Sequence, residues 1–202
     1  TSFNGSAQTN NLELKFNGTV QNGYNINVSG TNLDIKKSFL YVPKRFLSSI
    51  QLYQFEGTAD LNINVENQKE SKLPAAIHAD FNIKNGSVQS NLPWQIKAAK
   101  IQGVYHNGKQ RNNSSSTIGL HSINCQVNGE NLKGSLTYSK FNKPHIQTQF
   151  NTKLDLTDIQ RWGYELPVKE LSGRVTISAK YNGKIGINND IKTDFEQAEK
   201  SA

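Results

Sequence analysis

The chain has 202 residues, a length that all-β domains often reach undivided, with 35% hydrophobic residues and a mean hydropathy of −0.64. Its 23 basic and 16 acidic side chains leave a formal charge of +7. No apolar run is long enough for a membrane-spanning helix, and with one cysteine, Cys125, no disulfide can form within the chain.

The polar composition is not that of a disordered chain, because the apolar residues recur at strand spacing. Leu12, Leu14 and Phe16 alternate with Glu13, Lys15 and Asn17 and predict a first strand. Asn22-Gly23 is a turn signal, with Tyr24, Ile26 and Val28 alternating beyond it and Leu33-Asp34-Ile35 continuing the pattern. From Ser38 to Tyr53 the apolar residues Phe39, Leu40, Val42, Phe46, Leu47, Ile50 and Tyr53 fall nearer a helical period, which predicts one short amphipathic helix. Period two returns at Phe55, Ala59, Leu61, Ile63 and Val65, and a polar loop follows from Glu66 to Lys72.

Ile77, Ala79, Phe81 and Ile83 form the next strand, ended by Asn85-Gly86 and resumed at Val88. Trp94-Gln95-Ile96 follows Pro93, and Ile101, Gly103 and Tyr105 alternate after it. His106 to Ser116 is rich in Asn, Gly and Ser and is expected to be a mobile loop. Ile118/Leu120, Ile123/Cys125/Val127 and Leu132/Leu136/Tyr138 read as separate strands, with Asn128-Gly129 turning between the last two. Ile146-Thr148-Phe150, a helical turn at Asp158–Trp162, and a strand from Leu171 to Tyr181 complete the series.

The chain also repeats itself in outline. Gly18-Thr19-Val20 is followed 39 residues on (18 to 57) by Gly57 and the alternating Thr58 to Val65. Gly134-Ser135-Leu136 is followed at the same interval (134 to 173) by Gly173 and the alternating Arg174 to Ala179. Duplication of an extended sheet explains such a pattern better than a compact fold around one pocket.

The predicted class is mainly β: a long antiparallel, strongly twisted or curled meander of about twelve strands, with one or two short helices. A single elongated domain is expected over 1–187, holding two related halves at about 12–65 and 128–181, with a frayed tail at 188–202. Open trough, sandwich and barrel all hide one apolar face, and periodicity does not choose among them. The absence of any methionine and of a signal peptide reads as an excised soluble portion or a mature form.

The order of elements resembles the AsmA-like family of bacterial cell-envelope proteins. The resemblance rests on Ala79-Asp80-Phe81-Asn82-Ile83-Lys84-Asn85-Gly86-Ser87-Val88, Leu92-Pro93-Trp94-Gln95-Ile96 and Ile101 to Gly108. Asn128 to Leu136, Lys143-Pro144-His145-Ile146, Leu154 to Ile159 and Leu171 to Val175 extend it over about residues 12 to 185. These motifs are degenerate and contain no catalytic signature. The resemblance implies a β-rich periplasmic body tethered by a membrane helix outside this sequence. It further implies a part in outer-membrane biogenesis and phospholipid transport along a hydrophobic groove.

No residue set points to catalysis or to a cofactor. His78, His106, His121 and His145 lack metal-ligand spacing, and there is no Gly-x-Ser-x-Gly elbow, phosphate-binding loop or dinucleotide fingerprint. Asp155 and Asp158 are the one carboxylate pair, and Asp158 serves more simply at the start of a helical turn. Six Asn-x-Ser/Thr matches, at Asn4, Asn17, Asn27, Asn85, Asn112 and Asn113, follow from an Asn- and Ser-rich composition. The basic clusters Lys36-Lys37, Lys44-Arg45 and Lys109/Arg111 read first as solvated surface and second as attraction to anionic headgroups. No basic stripe interleaved with aromatics suggests nucleic acid.

The remaining candidate is the apolar stripe: Phe16, Ile26, Leu61, Ile63, Ile77, Phe81, Ile118, Val127, Leu136, Phe150, Val175 and Ile177. These residues pack as an ordinary core or line a trough for phospholipid or other lipid tails, which needs no polar constellation. The expectation is therefore a non-enzymatic, lipid-sheltering envelope segment, with envelope proteins as further possible partners. The alternatives are a carbohydrate- or protein-binding sandwich using Trp94 and Trp162, and a structural spacer with a filled interior.

Overall fold

Alternation at period two over most of the chain produces one continuous sheet. The computed structural model describes residues 1–9, 12–39, 53–89, 95–157 and 172–184. The strands are β1 (Ser2–Thr9), β2 (Leu12–Val20), β3 (Gly23–Asp34), β4 (Gln54–Gln68) and β5 (Ala76–Gln89). They continue as β6 (Ile96–His106), β7 (Thr117–Val127), β8 (Glu130–Ser139), β9 (His145–Asp155) and β10 (Arg174–Lys184). Spatial order equals sequence order and every neighbouring pair is antiparallel. The sheet is a simple meander, open between β1 and β10, and not a barrel.

Ten strands stand among the described residues where about twelve were expected over the chain, and bulges join some that the sequence reading separated. Ile118/Leu120 and Ile123/Cys125/Val127 belong to the single strand β7, whose register shifts by one residue between Leu120 and Ile123. Asn85-Gly86 is no turn. Asn85 sits at φ 50° inside β5, and the extra residue shifts the pairing with both β4 and β6. Asn32 at φ 52° does the same in β3, and Ala98 at φ 50° in β6. An extra residue reverses the facing of everything beyond it. The sequence reverses its apolar phase at the same points, so Leu120 and Ile123 remain on one face.

β1 carries only Phe3, Gly5 and Ala7 on the apolar phase, too weak a signal for the sequence to show. Asn128 (φ 51°) and Gly129 (φ 90°) form the expected tight hairpin between β7 and β8; positive φ at both positions suits strands of right-handed twist. A short helix, α1 (Ile35–Ser38), follows β3 and is capped by Asp34, whose Oδ1 accepts from the Lys37 N–H at 3.0 Å. Residues 40–52 of the helix expected from Ser38 to Tyr53 and the helical turn expected at Asp158–Trp162 lie outside the described residues, as does the tail at 188–202.

Asp155 stands likewise at the end of its strand, β9, but accepts from an N–H two residues on, that of Thr157 at 3.0 Å, where Asp34 accepts from one three residues on. Gly57 and Gly173, the two glycines of the sequence repeat, share a backbone that disfavours any side chain, at φ 114° and 110°. The loop at 107–116, expected to be mobile, is tied down by hydrogen bonds. Asn107 is buried, donates to Ala75 O at 2.8 Å and accepts from the Ile77 N–H at 2.9 Å. Ser116, also buried, donates to Asn112 O at 2.8 Å.

Candidate apolar face

Register decides which side chains meet. Following the pairings across the sheet gives Phe16–Val28–Ile63–Ala79–Tyr105–Ile118–Tyr138–Ile146, one unbroken row from β2 to β9. A second row runs Leu61–Phe81–Gly103–Leu120–Leu136–Thr148. Ile26 and Ile77 flank Val65, Phe150 lies opposite Gly134 and Ala179, and Val127 lies opposite Ile96. Ile177 and Val175 face Thr152 and Leu154. All twelve residues of the sequence-derived stripe therefore sit on one face.

Among the described residues no second layer covers that face. The ten strands make one sheet, and no second sheet packs on it among the described residues. Eleven of the twelve stripe residues are half-buried and Val175 is exposed at 38%; none reaches the interior. Each is sheltered by its in-plane neighbours and open above. The buried apolar residues among those described are Leu33, Ala99 and Cys125, gathered where the bulges cross the sheet. Burial pushes the Cys125 thiol above its ordinary pKa, so it stays protonated and inert.

Two features reduce the relief and the polarity of the face. Three aromatic rings lie across glycines of the next strand. A Cβ placed on Gly5 would fall 2.6 Å from Phe16 Cζ, one on Gly18 2.7 Å from Phe3 Cζ, and one on Gly103 would strike Phe81 Cζ. The rings thus lie down on the backbone instead of standing above it. Thr148 and Thr152 share the apolar phase, but their hydroxyls donate to the β8 carbonyls of Ser135 (2.9 Å) and Asn131 (3.1 Å). Only their methyl groups remain to face outward.

Aromatic clusters stand at both ends of the face. Phe141, in the β8–β9 connection, lies 5.1 Å from the ring of Tyr138 and 6.3 Å from that of Tyr105. At the other end Phe55 is 5.3 Å from Phe39 and 6.1 Å from Tyr53. The sequence had no signal for Phe141, which lies in a loop outside any alternation. Val28, Ile101, Tyr105 and Tyr138 did carry the alternation and belong with the twelve.

The opposite face is mainly hydrophilic, with Val104 among its few apolar side chains. Asn64 donates to Asn25 Oδ1 at 2.8 Å, and Asn25 donates to Glu66 at 3.3 Å. Lys84 Nζ stands 2.6 Å from Asp60 Oδ2, and the Asn32 N–H donates to Asp60 Oδ1 at 2.9 Å. The lysine, followed by the backbone N–H, holds the Asp60 carboxyl below its usual pKa of 3.8. His78 and His106, apart in sequence, are cross-strand partners, and His78 Nε2 lies 3.2 Å from Asp80 Oδ2. No group of three His, Cys, Asp or Glu side chains gathers to hold a metal among the described residues. Trp94 and Trp162, the stacking platforms of the carbohydrate-binding alternative, lie outside the described residues. No helix among the described residues is long and apolar enough to cross a membrane.

Comparison of the chain with protein-family models, curated proteins and solved structures finds no match.

Proposed function

We propose that this chain is a non-enzymatic segment of an AsmA-like envelope protein, acting in the periplasm in outer-membrane biogenesis, whose open apolar face shelters phospholipid acyl chains. The observation that carries the reading is an apolar face ten strands wide with no second layer upon it among the described residues. Proteins that stay soluble as monomers rarely leave a contiguous apolar surface of that extent uncovered unless something binds it. Acyl chains suit this surface in particular. They need no directional partner, and transfer from water is worth about 0.8 kcal/mol per methylene buried. A floor of rings laid on glycines, with threonine hydroxyls turned to the backbone, provides contact without hydrogen bonding.

Curling of the sheet about this face belongs to the same proposal. The bulges of β3, β5, β6 and β7 all lie within three residues of the row Leu33–Ala59–Ile83–Ile101–Ile123. Each bulge bends its strand and increases local twist, so a line of them favours a trough over a flat ribbon. Residues 12–65 and 128–181 are read as duplicated halves, supported by the matched Gly57 and Gly173 and by Asp34 and Asp155.

The alternative, a carbohydrate- or protein-binding sandwich at the cell surface, needs Trp94 and Trp162, which lie outside the described residues, and a second sheet, which does not stand among the described residues. The test is organic extraction of the purified chain followed by lipid mass spectrometry. Co-purifying phospholipid that is lost in an Ile63→Asn/Leu136→Asn variant supports the proposal. A chain free of lipid that also fails to take up added phospholipid refutes it.

A further inference from the structure

The strand connections at one end of the sheet are strongly basic and stand beside exposed apolar side chains. One end carries the β2–β3, β4–β5, β6–β7 and β8–β9 connections, residues 21–22, 69–75, 107–116 and 140–144. These hold six cations, Lys69, Lys72, Lys109, Arg111, Lys140 and Lys143, against one carboxylate, Glu70. The five lysines are exposed, and none is in an ion pair among the described residues. At the other end the described connection residues hold Lys36 and Lys37, and the strand ends beside them carry Lys97 and Arg174 with Asp34, Glu56, Glu130 and Asp155. Two of those cations are paired there, Lys37 with Asp34 at 3.7 Å and Arg174 with Glu130 at 3.6 Å.

Exposed apolar residues gather at the same basic rim. Val20 is 49% exposed, Tyr24 38% and Leu73 46%, all within or beside the β2–β3 and β4–β5 connections. The rim is also tied together. The Lys69 N–H donates to Asn22 O at 3.0 Å and the Lys140 N–H to Ser116 O at 2.9 Å. Arg111 Nη1 donates to both Asn67 Oδ1 and Pro74 O at 2.8 Å, joining the second and third connections.

We propose that this loop rim docks on an anionic bilayer surface, the lysines on lipid phosphates and Val20, Tyr24 and Leu73 at the headgroup level. Unpaired lysines are attracted to anionic lipid, while Tyr and small apolar side chains favour the interface, and a hydrogen-bonded belt holds both in one layer. A nucleic acid or acidic protein would use the charge but would leave Val20 and Leu73 without a role. The inference rests on the rim alone and stands whether or not the apolar face holds acyl chains.

The test is co-sedimentation of the whole chain with phosphatidylcholine vesicles, with and without phosphatidylglycerol. Binding is expected only to the anionic vesicles, weakening with salt. Neutralising Lys69, Lys72, Lys109, Lys140 and Lys143 to Gln should weaken it at least about a hundredfold, since each lysine near the surface is worth roughly a factor of five. Neutralising Lys97, Lys100, Lys133, Lys153 and Lys180, equal in number but away from the rim, should change it by less than about tenfold. In the unneutralised chain, a polarity-sensitive dye on Cys introduced at position 73 should shift to the blue on anionic vesicles, while one at position 97 should not. Equal loss in the two lysine sets, equal binding to neutral vesicles, or an unshifted dye at position 73 would each overturn the proposal. So would rim-dependent binding to duplex DNA with none to vesicles.

Discussion

The two faces of this sheet come from the same strands, one residue out of step, and they solve opposite problems. The polar face spends its side chains on one another and on water: Asn64 with Asn25, Lys84 with Asp60, His78 with Asp80. The apolar face has removed nearly every hydrogen-bonding group, even turning Thr148 and Thr152 onto the backbone, and is left without a second layer among the described residues. In an antiparallel sheet one wet face is ordinary, because the other packs on a core. Here the face built for packing has no second layer among the described residues, and that contrast is the basis for proposing a ligand for it.

The most damaging way to break the contrast is to remove the residue that keeps the faces apart. Deleting Ser122 takes out the β7 bulge and turns Ile123, Cys125 and Val127 onto the polar side. Loss of cooperative unfolding, read by circular dichroism, is the expected outcome. A smaller perturbation is Phe81→Ala, which uncovers Gly103 and should cost about 2 kcal/mol, below the usual range for a fully buried ring because Phe81 is only half-buried. Urea denaturation measures it.

Ala98→Gly sharpens the picture in the other direction. Alanine at φ 50° is strained, so glycine should stabilise the chain by about 0.5–1 kcal/mol despite its greater freedom when unfolded. The smallest effect belongs to Asp60. Its carboxyl is held below 3.8, so its contribution is present above that pH and disappears as pH falls through the lower folded value. Asp60→Asn should lower the urea midpoint slightly at neutral pH and leave it unchanged in strong acid.

Much of this was legible in the sequence, because a period of two names a face without reference to any partner. All twelve stripe residues, from Phe16 to Ile177, were placed correctly on one side by alternation alone. What alternation could not show was continuity. A phase reversal at Asn85 or His121 looks the same whether the strand ends or bulges, and only the pairing across β4, β6 and β8 distinguishes them. Nor could it show that Phe141 folds onto Tyr138, or that His78 and His106 meet, since both contacts depend on where strands end in space. The openness of the face was likewise invisible, because a packed sandwich and an uncovered sheet share one pattern.

Site-specific photocrosslinking in lipid-loaded protein tests that openness most directly. A photoreactive residue at Ile63 or Ile177 should label phospholipid acyl chains, while one at the adjacent Asn62 or Thr176 should not. Equal labelling from both faces, or none from either in protein shown to carry lipid, would contradict the account.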